Sequence, residues 1–386
     1  MRIARFVPLS NIGFYFALSA SIAAAALAGC GGGPQSSIPA SNGALPSWQA
    51  AHSARPACPD LPAGAPHCLA LIQSGSGINP LVEGWGPSNF QARYKLPSSS
   101  KGSGQIVALV DAYDNPNVAS DLAEYRSTFG LGTATFYKYN QEGQQGNYPA
   151  GSTGWGVEID LDAQMVSGTC PLCTIYLIEA NSDDSTDLQA AEVEAVKLGA
   201  HIVSNSWICY GSVSCVNQND FDHAGVLYLA ANGDEGLNKE GAPSALASVA
   251  AIGGTLLTES GSQYSESVWP DSGGGCATGI KKPKWQHDSF CSGRAVGDGS
   301  AVAWGAAEYD SYGYGGWFTV GGTSVATPLV AGMFALAGNA TKQDGGKTFW
   351  ETAHQTDLYD VCGSSCLYKT YSYGGGWGSP DGLGAL

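Results

Sequence analysis

The chain predicts an α/β fold, a parallel sheet flanked by helices. Three observations carry this. Apolar, β-branched runs recur along residues 105–257, helical patterns separate them, and polar or glycine-rich stretches close each run. The strands expected are "QIVALVDAY" (105–113), "TIYLIEAN" (174–181), "AHIVSNSW" (200–207), "VLYLAANGD" (226–234) and "VAAIGGTLL" (249–257). Helices are expected at 115–130, 156–168, 186–199 and 217–224, and at the apolar run that opens near Ser324. In such sheets ligands gather beyond the carboxyl ends of the strands, here "DAYD", "SNSW" and "NGDEG". After residue 260 the chain is rich in glycine and tyrosine, and irregular loops are expected around the Ser324 helix.

Ahead of this pattern, "MRIAR" is basic and "FYFALSASIAAAALAG" is apolar, the layout of an export signal over 1–29. The run is short for a spanning helix. It ends in "LAGC", which resembles a bacterial lipobox and would leave Cys30 lipidated, with 30–57 as a flexible tether. Residues 58–83 are expected to form an irregular N-terminal arm, and 84–386 one catalytic domain. Without Cys30, ten cysteines remain. They fall into close pairs, 58/68, 170/173, 209/215, 276/291 and 362/366, as local disulfides of an oxidising compartment would. "CPLC" also fits a redox or zinc motif in form, but no second such motif accompanies it, so a loop bridge is expected.

Lys+Arg number 17 against Asp+Glu 33, a net charge of -16. That balance disfavours nucleic acid and anionic membranes as partners. Any membrane contact is expected through the lipid alone, and the chain is expected to be a monomer.

Three short segments carry the chemistry. In "GWGVEIDLDAQMVSG" (154–168), a helical wheel puts Glu158 and Asp162 inside the apolar arc, between Met165 and Val166. Asp160 and Gln164 fall in the remaining sector, so Asp160 is expected to be solvated. Two adjacent buried carboxylates are tolerable if they share a proton, which makes them an acid/base device. Asp234 in "NGDEG" ends a strand; it serves either as a turn residue or as a group facing a ligand. Ser324 in "VGGTSVATP" stands at a helix start, where a serine caps the helix or meets an anion.

Together, "GWGVEIDLD", "NGDEG" and "GGTSVATP" in this order resemble the sedolisin family, serine-carboxyl peptidases with a subtilisin-like fold. "GWGPSNFQARYKLP" and "IVALVDAYDNPN" extend the likeness, which covers residues 84 to 386. The resemblance implies Ser324 as nucleophile, Glu158 as its general base, Asp162 as the partner of Glu158, and Asp234 in the oxyanion hole. It implies a polypeptide substrate that pairs with the strand around Ser204, Ser206 and Trp207, cleaved in an acidic, extracytoplasmic setting. A histidine-based subtilisin triad is the rival. Asp111 sits where such a triad has its aspartate, but none of the six histidines lies in a Gly-His-Gly-Thr setting, and His201 is expected to be structural.

The family's calcium site maps onto Asp360, Val361, Gly374 and Gly376, with Gly378 in place of an expected aspartate. The stretch 294–305 lacks the family's prolines and is expected to be loose. Those two departures leave open a non-catalytic envelope protein that binds peptides or glycans in the same cleft. The segment before the catalytic domain is too short for the family's large prodomain and is expected to belt the domain, clipped by Cys58/Cys68.

Overall fold

The computed structural model describes residues 53–73, 82–351 and 355–386. The export signal, Cys30 and most of the tether lie outside them. An eight-stranded sheet forms the centre. In chain order the elements are β1 (Ala54–Pro56), β2 (Pro66–Cys68), β3 (Leu71–Gln73), α1 (Pro87–Arg93), β4 (Ile106–Ala112), α2 (Val118–Thr128), β5 (Thr135–Asn140) and α3 (Thr153–Thr169). Then come β6 (Thr174–Ala180), α4 (Ser185–Lys197), β7 (Ile202–Asn205), β8 (Trp207–Cys209), β9 (Leu227–Ala231), β10 (Val249–Ser260) and β11 (Gln263–Val268). They are followed by β12 (Gly275–Ala277), β13 (Arg294–Val296), β14 (Gly299–Val302), β15 (Trp304–Asp310), β16 (Gly316–Gly321) and α5 (Thr323–Ala337).

The main sheet runs β11-β10-β9-β7-β4-β6-β5, with β14 also on β10. All its pairings are parallel except β10 with β11. The predicted parallel sheet is present. The order reverses at β4: β6 lies on one side and β7 on the other, the place where α/β sheets open a crevice.

Side chains alternate across each strand. On β4, Val107 and Leu109 join the core built on α3 and α5, while Ala108, Val110 and Ala112 join the core built on α4. The same alternation puts Asp111 on the α3 face.

Three expectations are corrected. Strand β5 went unpredicted, and the segment beyond 260 is not irregular but contains β11–β16. The 217–224 helix is a single 3-10 turn over Gln218–Phe221. The stretch 294–305 is not loose. It holds β13 and β14, and between them Asp298 is fully buried against Arg294 (2.8 Å between Oδ1 and Nη1) while accepting from Ala251 N (2.7 Å) and Trp350 Nε1 (2.7 Å). A buried guanidinium fork does what the missing prolines would have done.

All five expected disulfides form: Cys58–Cys68, Cys170–Cys173, Cys209–Cys215, Cys276–Cys291 and Cys362–Cys366. Among the described residues, no helix is long and apolar enough to cross a membrane.

Candidate active site

Helix α3 supplies the acids. It starts at Ser152, whose side chain accepts from Trp155 N at 3.4 Å. It then passes between the sheet and helices α1, α2 and α5, and is buried all round from Trp155 to Thr169. Glu158 and Asp162 are fully buried, as the wheel indicated. Asp160 is also fully buried, which corrects the expectation of a solvated acid. It meets Asp121 of α2 and Asp310 of β15, and accepts from Asn115 Nδ2 at 2.6 Å. The wheel assumed a solvent face that α2 and β15 cover.

Asp111, at the end of β4, joins Glu158 and Asp162 as a third enclosed acid. Neither of its oxygens has a hydrogen-bond partner. Burial pushes its carboxyl up to about 7. Burial, and next the Asp111 charge, hold Glu158 well above the usual carboxylate range, against the lowering effect of Ser324 and of two backbone amides. Asp162 is raised by burial, Asp111 and Glu158, and is lowered by Ser206. Three acids in one apolar enclosure cannot all be ionised, so they share protons. In the sequence Asp111 stands only as the aspartate of the rival histidine triad. Its period-2 placement on the α3 face was the signal that it belongs with the acids.

Ser324 is the second residue of α5 and fully buried. Ser206 links it to the acids: its hydroxyl donates to Asp162 Oδ1 at 2.7 Å, and its carbonyl accepts from Ser324 Oγ at 3.4 Å. Glu158 Oε1 is enclosed without a hydrogen-bond partner beside that serine. Pro328 has no N–H to close the first turn, so the Ser324 carbonyl lacks its helical donor.

Asp234 follows β9. Its Oδ1 accepts from Thr323 N (2.8 Å) and Thr323 Oγ1 (2.7 Å), and its N–H donates to Tyr210 Oη at 2.7 Å. Its Oδ2 is enclosed and has no partner. Burial raises this carboxyl to about 7 against the pull of Thr323. Gly322, at φ 114°, separates Asp234 from the arm. A Cβ there would lie 2.7 Å from Asp234 Oδ2 and 2.0 Å from the Leu69 carbonyl oxygen, so no side chain fits.

The arm occupies the cleft. Strand β2 pairs antiparallel with β8, Cys68 opposite Trp207 and Pro66 opposite Cys209. Strand β3 pairs antiparallel with β16, Leu71 opposite Gly321. Between them, Leu69 N and Ala70 N both donate to Glu158 Oε2, at 2.8 and 2.7 Å. Of the expected substrate strand, Trp207 offers its backbone to the arm while its ring packs on Phe221. Ser204 is elsewhere, inside β7 between β4 and β9.

Among the described histidines, His201 is tied to Gly225 O and His223 to Tyr228 Oη, and none hydrogen-bonds Ser324.

The expected calcium ligands do not fit an ion. The carbonyls of Val361, Gly374 and Gly376 already accept from Val268 N, Ser272 Oγ and Ser372 N. Asp360 Oδ1 accepts from Cys362 N and Gly363 N. Gly378 has φ 129°, and a Cβ there would lie 2.2 Å from Tyr359 O, so the missing aspartate has no room. Calcium takes about six to eight oxygen ligands, usually with several carboxylates among them, and this set holds one.

The subtilase family model matches residues 130–360, more than half of the chain and inclusive of Glu158, Asp162, Asp234 and Ser324. The chain belongs to the subtilase family. Among subtilases it resembles the sedolisins. It is 26% identical over 356 residues to sedolisin from Pseudomonas sp. (strain 101), an alignment that covers 79% of this chain and 60% of that protein. It is 29% identical over 288 residues to kumamolisin from Bacillus sp. (strain MN-32), covering 64% of this chain and 51% of that one. This subtilase thus spans about three fifths and one half of the two relatives. In fold it is similar to Pseudomonas sedolisin, described as a serine-carboxyl proteinase, with TM-score 0.62, 23% identity, and coverage of 78% of this chain and 96% of that chain. Sphericase is also similar in fold, with TM-score 0.52, 18% identity, and coverage of 77% and 97%.

Proposed function

We propose that the protein is an exported, acid-active serine endopeptidase that cleaves polypeptides through an acyl-enzyme on Ser324. The observation that carries this is Ser206, which joins Ser324 to Asp162 in an enclosure shared by Glu158 and Asp111. A serine hydroxyl is a weak nucleophile until a base takes its proton. Glu158 serves as that base: its carboxyl feels the Ser324 hydroxyl, and its Oε1 is committed to no other hydrogen-bond partner. Asp162 and Asp111 hold the proton that keeps Glu158 poised. Attack on a peptide carbonyl forms an oxyanion, met by protonated Asp234 and the backbone at the start of α5. Glu158 then passes its proton to the departing amine, and water completes the hydrolysis. No step uses a metal. Five disulfides support an oxidising compartment, and Cys30 is proposed as the lipid anchor of a bacterial envelope protein. The substrate is polypeptide, the net charge of -16 disfavours nucleic acid as a partner, and the working form is a monomer. The binding-only reading loses its support from 294–305, which is fixed by Asp298.

The test is Glu158→Gln. A folded variant with hydrolysis of an unfolded protein substrate abolished is expected. Undiminished hydrolysis would remove Glu158 as base.

A further inference from the structure

A second set of acids lies outside the site described above, where α2, α3 and β15 pack together. Asp121 of α2, Asp160 of α3 and Asp310 of β15 each bring one carboxylate oxygen within 4.8 Å of the other two. Asp160 and Asp310 are fully buried, and Asp121 is 1% exposed. Glu308 stands two residues before Asp310 on β15, so both side chains leave the strand on the same face. Glu308 is fully buried too. Burial, and next the charges of Asp160 and Asp310, raise its carboxyl, as expected of a group aimed at the trio.

The donors at hand commit only part of this oxygen. Asn115 Nδ2 donates to Asp160 Oδ2 at 2.6 Å. Ser311 gives its N–H to Asp121 Oδ2 at 2.9 Å and its hydroxyl to Oδ1 at 2.6 Å. Tyr312 N and Gly313 N both donate to Asp310 Oδ1, at 2.6 and 2.8 Å. Asp160 Oδ1, Asp310 Oδ2 and both oxygens of Glu308 are enclosed without a hydrogen-bond partner. Among the described residues, no basic side chain is ion-paired with any of the four acids. A proton shared between two of them satisfies one pair of oxygens and leaves the others open. The donor set is carboxylate oxygen with neither nitrogen nor sulfur, which suits a hard divalent cation. Calcium–oxygen bonds of about 2.3–2.6 Å span ligands at this spacing, whereas magnesium draws its ligands closer and keeps several waters.

We propose that Asp121, Asp160, Asp310 and Glu308 bind one calcium ion, at a place in the fold separate from the Asp360–Gly376 loop. The ion fastens α2, α3 and β15 to one another. Asp160 lies between Glu158 and Asp162 in the chain, so the same clamp fixes the helix that presents those two acids to Ser324. It touches no reacting atom, and its part is structural.

The test uses the full chain with Ser324→Ala, which keeps proteolysis out of the measurement. Calcium binding is followed by titration calorimetry, and thermal unfolding is compared in EDTA and in calcium chloride at neutral pH. Asp160→Asn and Asp310→Asn run beside the parent, and Asp360→Asn controls for the C-terminal loop. Both cluster variants keep an acceptor for the donors they now serve, Asn115 Nδ2 and the Tyr312 and Gly313 amides. The expected result is one ion per chain, with a Tm that rises with calcium concentration in the parent and in Asp360→Asn. Asp160→Asn and Asp310→Asn lose about tenfold or more in calcium affinity and most of that rise. In EDTA, Asp160→Asn is no less stable than the parent, which separates a lost ligand from a damaged fold. A folded parent that binds no calcium at millimolar concentration would overturn the proposal. So would a calcium-dependent rise that survives in both cluster variants, or one that is lost only in Asp360→Asn.

Discussion

Asp234 has one oxygen committed to Thr323 and the other aimed at no partner, with its carboxyl raised to about 7. Below that pH it carries a proton that it can donate to an oxyanion. Asp234→Ala is therefore expected to lower kcat by about 10²–10³, the usual cost of one oxyanion donor, with little change in KM. Equal losses in binding alone would place the residue in substrate recognition instead. Ser324, Glu158, Asp162 and Asp234 were legible because short motifs mark them and the helical wheel set two of them inward. Asp160 was misjudged because a wheel cannot report which neighbours cover a face. One sequence signal did exist: the helix carries no basic residue and few exposed-type side chains, unlike a solvated helix.

At the scale of elements, the α3 helix brings two acid groups into the core, one on each side. Glu158 and Asp162 face the serine. Asp160 faces Asp121 and Asp310, and the latter two raise its carboxyl further after burial itself. Asp160→Asn keeps the acceptor for Asn115 and removes the ionisable oxygen. The variant is expected to match the wild type in Tm near pH 4 and to exceed it increasingly toward pH 8; a gap that does not widen would show that Asp160 ionises in the folded protein as readily as in the unfolded chain. The β13–β14 connection depends on Arg294 and Asp298, both fully buried. Asp298→Ala leaves an unpaired guanidinium, and the Ala251 amide and Trp350 indole N–H without acceptor, at a cost of about 3–5 kcal/mol, read from urea unfolding. The arm's strands could not be foreseen. β2 and β3 are each three residues long; β2 forms on β8 and β3 between β1 and β16, with β8 and β16 more than a hundred residues away, which leaves little local pattern. The parallel sheet was legible for the opposite reason: strands buried on both faces are continuous apolar runs.

Across the whole molecule, burial raises the carboxyls of Asp111, Glu158, Asp160, Asp162, Glu192, Asp234 and Glu308 in the folded state. Between the free carboxylate range near pH 4 and these raised values, the folded protein binds more protons than the unfolded chain. Its stability therefore falls as pH rises through that window, which extends to about 7 for Asp111 and Asp234. Thermal unfolding is expected at a higher temperature near pH 4 than near pH 8, the reverse of a protein held by paired carboxylates. A Tm that rises with pH over this range would mean that the buried acids are ionised and matched by cations. With the shared protons held on Asp162 and Asp111, Glu158 is left as the carboxylate that takes the Ser324 proton in acid, where a histidine would already be charged, so stability and catalysis share one cause.

That shared cause is tested most directly by the pH dependence of Ser324-dependent proteolysis. Cleavage of an unfolded protein substrate is followed past any lag, from about pH 3 to about pH 8, by the full chain beside Ser324→Ala. The expected result is a maximum in acid, a decline toward neutral pH as the shared protons are lost, and no cleavage by the variant. Cleavage that rises into the neutral range, or that survives Ser324→Ala, would contradict the carboxylate-driven serine chemistry proposed for this site.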